Sequence, residues 1–143
     1  MRKNIGLFKA KVAEYNSTLN LNEDDWVEGY IAKKKSKCTS PHAPVWFDEW
    51  FMCVPVRNES YEYFEDVEIK IETICECTGL EDNNGKLIWE NDIVKVDNWQ
   101  EKQTVYMHKW GRWTLTNYAY ELGFLNPHLT CEVIGNKFDK ENN

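Results

Sequence analysis

The chain has 143 residues, 24 acidic against 17 basic side chains, and a formal net charge of −7. That length makes one domain the soft expectation and suffices for a core needing neither metal nor disulfide. Seven Trp, seven Tyr and six Phe exclude wholesale disorder. The acidic balance argues against bulk affinity for a phosphate backbone, and no apolar run approaches a membrane span.

In chain order, Gly6–Tyr15 comes first. Leu7, Lys9, Lys11 and Ala13 alternate with Phe8, Ala10, Val12 and Glu14, which predicts an edge or half-buried strand. Lys9, Lys11 and Glu14 also interrupt the apolar run that a signal peptide would require, so a cytoplasmic protein is expected. The polar stretch 16–25 reads as a turn. Trp26–Ala32 resumes as a strand forming an N-terminal hairpin with the first (about 5–33), and Gly29 marks a bulge or a close approach. Residues 33–44, with Lys33, Lys34, Lys35, Lys37, Pro41 and Pro44, read as a loop.

Residues 45–56 carry Trp46, Phe47, Trp50 and Phe51. Their spacing fits a helix, but β-propensity and the flanking prolines favour a strand. Residues 58–66 are acidic and read as a loop. Val67, Ile69 and Ile71 alternate with charged residues, predicting a strand running on toward Thr78. Asn84-Gly85 is a strong hairpin signal. Short strands follow at 86–89, 93–96, 104–108, 111–116 and 131–138, with a short helix over 118–125. Many short strands with closely spaced turn signals predict a mainly β fold, a small β-barrel or open roll with at most short helices.

One segment is more specific. Thr78-Gly79-Leu80-Glu-Asp82-Asn-Asn84-Gly85-Lys-Leu-Ile88-Trp89-Glu90-Asn-Asp92-Ile93-Val94 closely resembles the hallmark of the YopX family of phage and prophage proteins. Glu132-Val133-Ile134-Gly135-Asn136 is similar to that family's closing motif, and Trp26-Val-Glu-Gly29-Tyr30 to its early one. The three arrive in family order and span most of the chain. Asn91 replaces the family's usual Gly; Asn is the residue that best tolerates the same left-handed backbone. Residues 34–66 do not resemble the family in detail and read as a variable insertion. The resemblance implies an SH3-like barrel core, placed at about 67–138 within a single domain, and ring-forming homo-oligomers. It implies no activity.

The motif's own chemistry reads as structural. Gly79 and Gly85 supply turns, Asp82 and Asn84 are residues that bond neighbouring amides, and Leu80, Ile88 and Ile93 would face a core. Asp82, Glu90 and Asp92 form a candidate magnesium cluster, for which turn chemistry is the plainer account. Cys38 and His42, with Cys53, Cys75 and Cys77, offer only one arm of a zinc pattern; no metal or other cofactor is expected. The odd, irregularly spaced cysteines do not resemble a secreted disulfide framework. His108 and His128 have no nucleophile pattern beside them, and no phosphate-cradling glycine motif exists, so no catalytic residue and no enzyme is expected.

The aromatics point elsewhere. Trp46, Phe47, Trp50 and Phe51, with Trp110 and Trp113, are candidates for a protein interface. The expected role is a non-enzymatic, oligomeric interaction module whose partner is a second copy or another protein. The alternative is a nucleic-acid-associated regulator using the basic and aromatic segment 99–113.

Overall fold

The structure is a computed structural model that describes residues 6–38, 45–108, 111–115 and 129–139, with residues 36–38 described by backbone alone. Its described strands are β1 (Phe8–Lys11), β2 (Trp26–Cys38), β3 (Val45–Arg57), β4 (Glu62–Glu68), β5 (Cys75–Glu81), β6 (Leu87–Trp89), β7 (Asp92–Val96), β8 (Gln103–Met107), β9 (Trp113–Leu115) and β10 (Cys131–Asn136). A 3-10 turn, Ile71–Thr73, separates β4 from β5. The fold is mainly β, as the turn spacing predicts. The sheets are open, and no closed barrel is found among the described residues. The chain divides into two compact units, one over Gly6–Ile74 and one from Cys75 onward.

In the first unit the strands run β4-β3-β2-β1, each pair antiparallel. Alternation sets the core. Ala10, Val12, Val27, Met52, Val67 and Ile69 are buried together, because every second residue of a strand points to the same face. An isolated bridge, Val12↔Ile69, ties the end of β1 to the end of β4. The Ala13 amide donates to the Glu68 carbonyl at 2.9 Å beside it. β4 pairs on its other side with β3 and is otherwise the terminal strand. The sheet therefore curls without closing. Lys11 is buried, with its ammonium 4.5 Å from the Trp26 ring centre, and Lys9 approaches the same ring at 4.4 Å. Each cation is attracted by the ring quadrupole.

Several expectations change here. The strand expected to run from Val67 toward Thr78 breaks after Glu68. Thr73 is the cause: its hydroxyl donates to the Lys70 carbonyl at 2.6 Å and accepts the Lys11 amide at 2.8 Å, which folds 71–73 into a turn. Ile71, the third member of the alternation, is exposed. Val67 and Ile69 thus pack with β1–β3, not in a core running from 67 to 138. Residues 33–38 form strand where the lysine run suggested a loop, because β3 pairs with them as far as Cys38↔Val45. The acidic stretch 58–66 becomes β4 from Glu62 onward. Residues 45–57 form a strand, as β-propensity indicated. The helix expected over 118–125 lies outside the described residues.

In the second unit, β5 and β6 form a hairpin, and a separate antiparallel sheet runs β10-β7-β8-β9. Ile88, Val94, Val96, Val105, Trp113 and Leu115 anchor its core.

Gly29 is the tightest point of the first unit. A Cβ built there would lie 2.3 Å from the Cys53 backbone carbonyl and 3.1 Å from the Met52 side chain. β2 and β3 would have to separate to admit it. Gly29→Ala is therefore expected to destabilise the protein by about 2–3 kcal/mol, measured by urea unfolding. A change within experimental error would show that the two strands do not approach this closely.

Candidate functional site

The motif that opens at Thr78 builds one hydrogen-bonded loop. Asp82 is buried at the end of the β5–β6 hairpin. Its Oδ1 accepts the amides of Asn84 and Lys86, both at 2.9 Å. Its Oδ2 accepts the amide of Val133, also at 2.9 Å, from β10 across the chain. Gly85 sits at φ +77 to let the loop turn, and its amide closes on the Asp82 carbonyl at 3.1 Å. The ladder slips between Cys77 and Glu81, where Gly79 adopts φ +79. Thr78 fills the irregularity: its hydroxyl donates to the Ile88 carbonyl at 2.7 Å and accepts the Leu80 amide at 3.1 Å.

A second knot lies at the turn into β7. Asp92 accepts the Trp89 amide at 2.8 Å on one oxygen and the Asn136 side-chain amide at 2.9 Å on the other. The Asn136 Oδ1 accepts the Phe138 amide at 3.0 Å. Asn91, where the family usually has Gly, adopts φ +69, so the left-handed turn is kept. Its amide and carbonyl bond Val105 and Lys137, both at 2.8 Å. Glu90 accepts the Glu76 amide at 3.3 Å. The central and closing motifs, far apart in sequence, are therefore parts of one construction.

Burial works to raise the Asp82 carboxyl. The amides of Val133, Lys86 and Asn84, with the Lys86 charge, outweigh it and hold the carboxyl below the usual carboxylate range. Burial, aided by the charges of Asp82 and Asp97, pushes the Cys131 thiol up to about 11. A thiol so poorly ionised is a weak nucleophile at neutral pH.

The other motif residues fall into place around these knots. Ile88, Trp89 and Val94 are buried, Leu80 packs on the second unit's core, and Ile93 is half-buried. Alternation along β10 buries Cys131 and Val133 and exposes Glu132 and Ile134, and the register shift between Val133 and Gly135 brings Asn136 to the buried face. Trp26 lies under Lys9 and Lys11, and Tyr30 is exposed. Cys53 and Cys131 are free thiols and Cys75 and Cys77 are buried in β5, while the Cys38 side chain and His42 lie outside the described residues. Among the described residues no three Cys, His, Asp or Glu side chains are grouped to hold a metal ion, and no helix is long and apolar enough to cross a membrane.

The aromatic candidates separate. Trp46 and Phe47 are exposed, at 63% and 43%. Trp50 and Phe51 are half-buried, and Trp50 packs on the first unit's core. Trp113 was expected at an interface but is 5% exposed within the second unit's core, since β9 turns that face inward. Trp110 lies outside the described residues. Trp99 is half-buried and packs on the same core as Trp113.

The feature least visible in the sequence is a two-stranded arm. β1 pairs with β2 only as far as Gly29, and β4 pairs with β3 only from Phe51 onward. Beyond those limits Lys33–Cys38 and Val45–Trp50 pair with each other alone. Lys33 pairs with Asp48 at 3.8 Å, and Lys34 reaches back to Asp66 of β4. The Lys34 partner lowers the Asp66 carboxyl against the opposing effect of burial, and the Cys53 thiol donates to the same carboxylate at 3.4 Å.

Against this geometry the comparisons are narrow. Residues 33–142 match the family model for the YopX protein, and the chain belongs to the YopX family. The match takes in residues 34–66 and begins after the Trp26–Tyr30 motif. No curated protein and no solved structure matches the chain.

Asp82→Asn tests the loop. A carboxyl held below its ordinary value contributes stability that is present above about pH 4 and lost as pH falls through the folded value. The variant is expected to lose about 3 kcal/mol at pH 7, and its gap from the parent is expected to close below pH 4, as followed by urea titrations. A gap independent of pH would mean that the charge is not what binds the three amides.

Proposed function

We propose that this YopX-family chain is a non-enzymatic oligomeric interaction module, of phage or prophage provenance, that works in the cytoplasm of a bacterial host. The observation that carries this reading is the arm. An isolated two-stranded hairpin is at best marginally stable in water, and monomers seldom leave contiguous apolar surface bare. Here Val45 and Phe47 on one face of β3, and Trp46 on the other, are each 43–63% exposed near the arm's far end. A second copy laid against it would cover the aromatics and complete the hairpin's edges.

The polar motif residues support a structural role for themselves. The oxygens of Asp82 and Asp92 are already engaged by amides, which leaves them poorly placed for proton transfer. The segment 99–113 supports the nucleic-acid alternative less well, because Trp99 and Trp113 face the core.

Sedimentation velocity tests the reading. The parent is expected to sediment above monomer mass at micromolar concentration. Replacing Trp46 and Phe47 together by Ala is expected to lower that mass with little change in melting temperature. Trp50→Ala should instead lower the melting temperature, because Trp50 packs on the core. A monomeric parent would overturn the proposal. Tight binding of a labelled single strand, weakening with salt as phosphate contact requires, would favour the alternative.

A further inference from the structure

Resting on the oligomeric reading, we infer that the free edge of the arm's β2 strand in one copy pairs with the free edge of β4 in the next. Over Lys33–Cys38 one side of β2 bonds β3, and the other has no strand beside it among the described residues. β4 terminates its sheet, and only its end, at Glu68 and Ile69, is met by the β1 segment. Among the described residues this leaves 62–67 open. The two open runs are of equal length, each spanning about 20 Å at strand spacing.

Charge selects this pairing over the others. The open β2 run carries Lys33, Lys34, Lys35 and Lys37 and the open β4 run carries Glu62, Glu65 and Asp66, of which Lys33, Lys34, Glu62 and Asp66 also have partners within the copy. Pairing β2 with its own copy would set lysines against lysines, and β4 with β4 would set acids against acids, both unfavourable when directly opposed. Of these three pairings only that of the unlike edges attracts; the outer edge of β3 in the arm is acidic too, but its Asp48 already pairs with Lys33 of the same copy.

The faces also agree. Lys33 and Lys35 alternate with Lys34, and they lie on the face of β2 that, through the register Lys33↔Trp50 and Ile31↔Met52, continues the buried face of Met52. Glu65 lies on the same face of β4 as buried Val67. A sheet that ran on from one copy to the next with its core face aligned would place Lys35 and Glu65 on one side. Neither of these two makes an ion pair with a described residue.

Joining unlike edges is a head-to-tail contact. Such contacts close into rings when the rotation per copy permits and otherwise grow as filaments. Each copy donates its lysine edge and accepts at its acidic edge, so these two edges cover each other, and the outer edge of β3 over Val45–Trp50 is the one the contact leaves unpaired.

The test exchanges the charges in the full chain at low ionic strength, with circular dichroism confirming the β fold. Lys35→Glu and Glu65→Lys alone are each expected to raise the midpoint concentration of assembly by about tenfold, since an opposed like pair replaces an attractive one. An equal mixture of the two variants should reassemble, because each then offers the other a complementary edge on both sides. The double variant K35E/E65K should assemble with itself near the parental midpoint. If both single variants assemble like the parent, or the mixture and the double variant show no rescue, the edge pairing is wrong although the oligomeric reading stands. A parent that is monomeric throughout removes both.

Discussion

The Asp82 carboxylate gathers three backbone amides into one buried point. Two of them, from Asn84 and Lys86, close the hairpin loop. The third, from Val133, reaches the last strand from the far end of the unit's sequence. A buried acceptor left with fewer donors is expensive, so ionised Asp82 requires all three segments to be in place together. The Asp92–Asn136 bond repeats the device one turn away. The two carboxylates thereby couple hairpin, β7 and β10, and the apolar core of Ile88, Val94 and Val133 packs on a frame that polar bonds have fixed in register.

This explains which parts of the fold were legible in the sequence. Asn84-Gly85 marked its hairpin because the turn needs a positive φ that glycine supplies. Gly29 marked a close approach because nothing larger fits beneath the Cys53 carbonyl. Asp82 and Asn84 read as turn residues. Asp82 also reaches across the chain to Val133, which its reading as a turn residue did not include. The partner Val133 supplies an amide, and an amide is present at almost every position, so no residue type could announce it.

The misreadings share a cause. Lys33–Lys37 looked like a loop because lysines in series carry no apolar period, yet the strand exists through its bonds to β3. The 67–72 alternation looked like one strand because Thr73 acts through its hydroxyl on backbone groups at 70 and 11, an effect absent from any hydrophobic pattern. Trp113 looked like interface material because composition does not distinguish an aromatic that faces a core from one that faces another chain. Pattern reveals burial; it does not reveal where backbone bonds end.

The two units therefore present different physics. From Cys75 onward the polar bonds of the motif are closed internally. In the arm of Gly6–Ile74, strand edges and aromatics remain open to solvent among the described residues. In the proposed reading the first is framework and the second is where another copy binds. Hydrogen exchange at two protein concentrations tests that division most directly. It predicts that amides within residues 32–38 and 62–67 gain protection as concentration rises through assembly, while those of Asn84, Lys86 and Val133 are slow at both concentrations. Arm and edge amides that exchange identically at both concentrations, or motif amides that exchange fast, would contradict it.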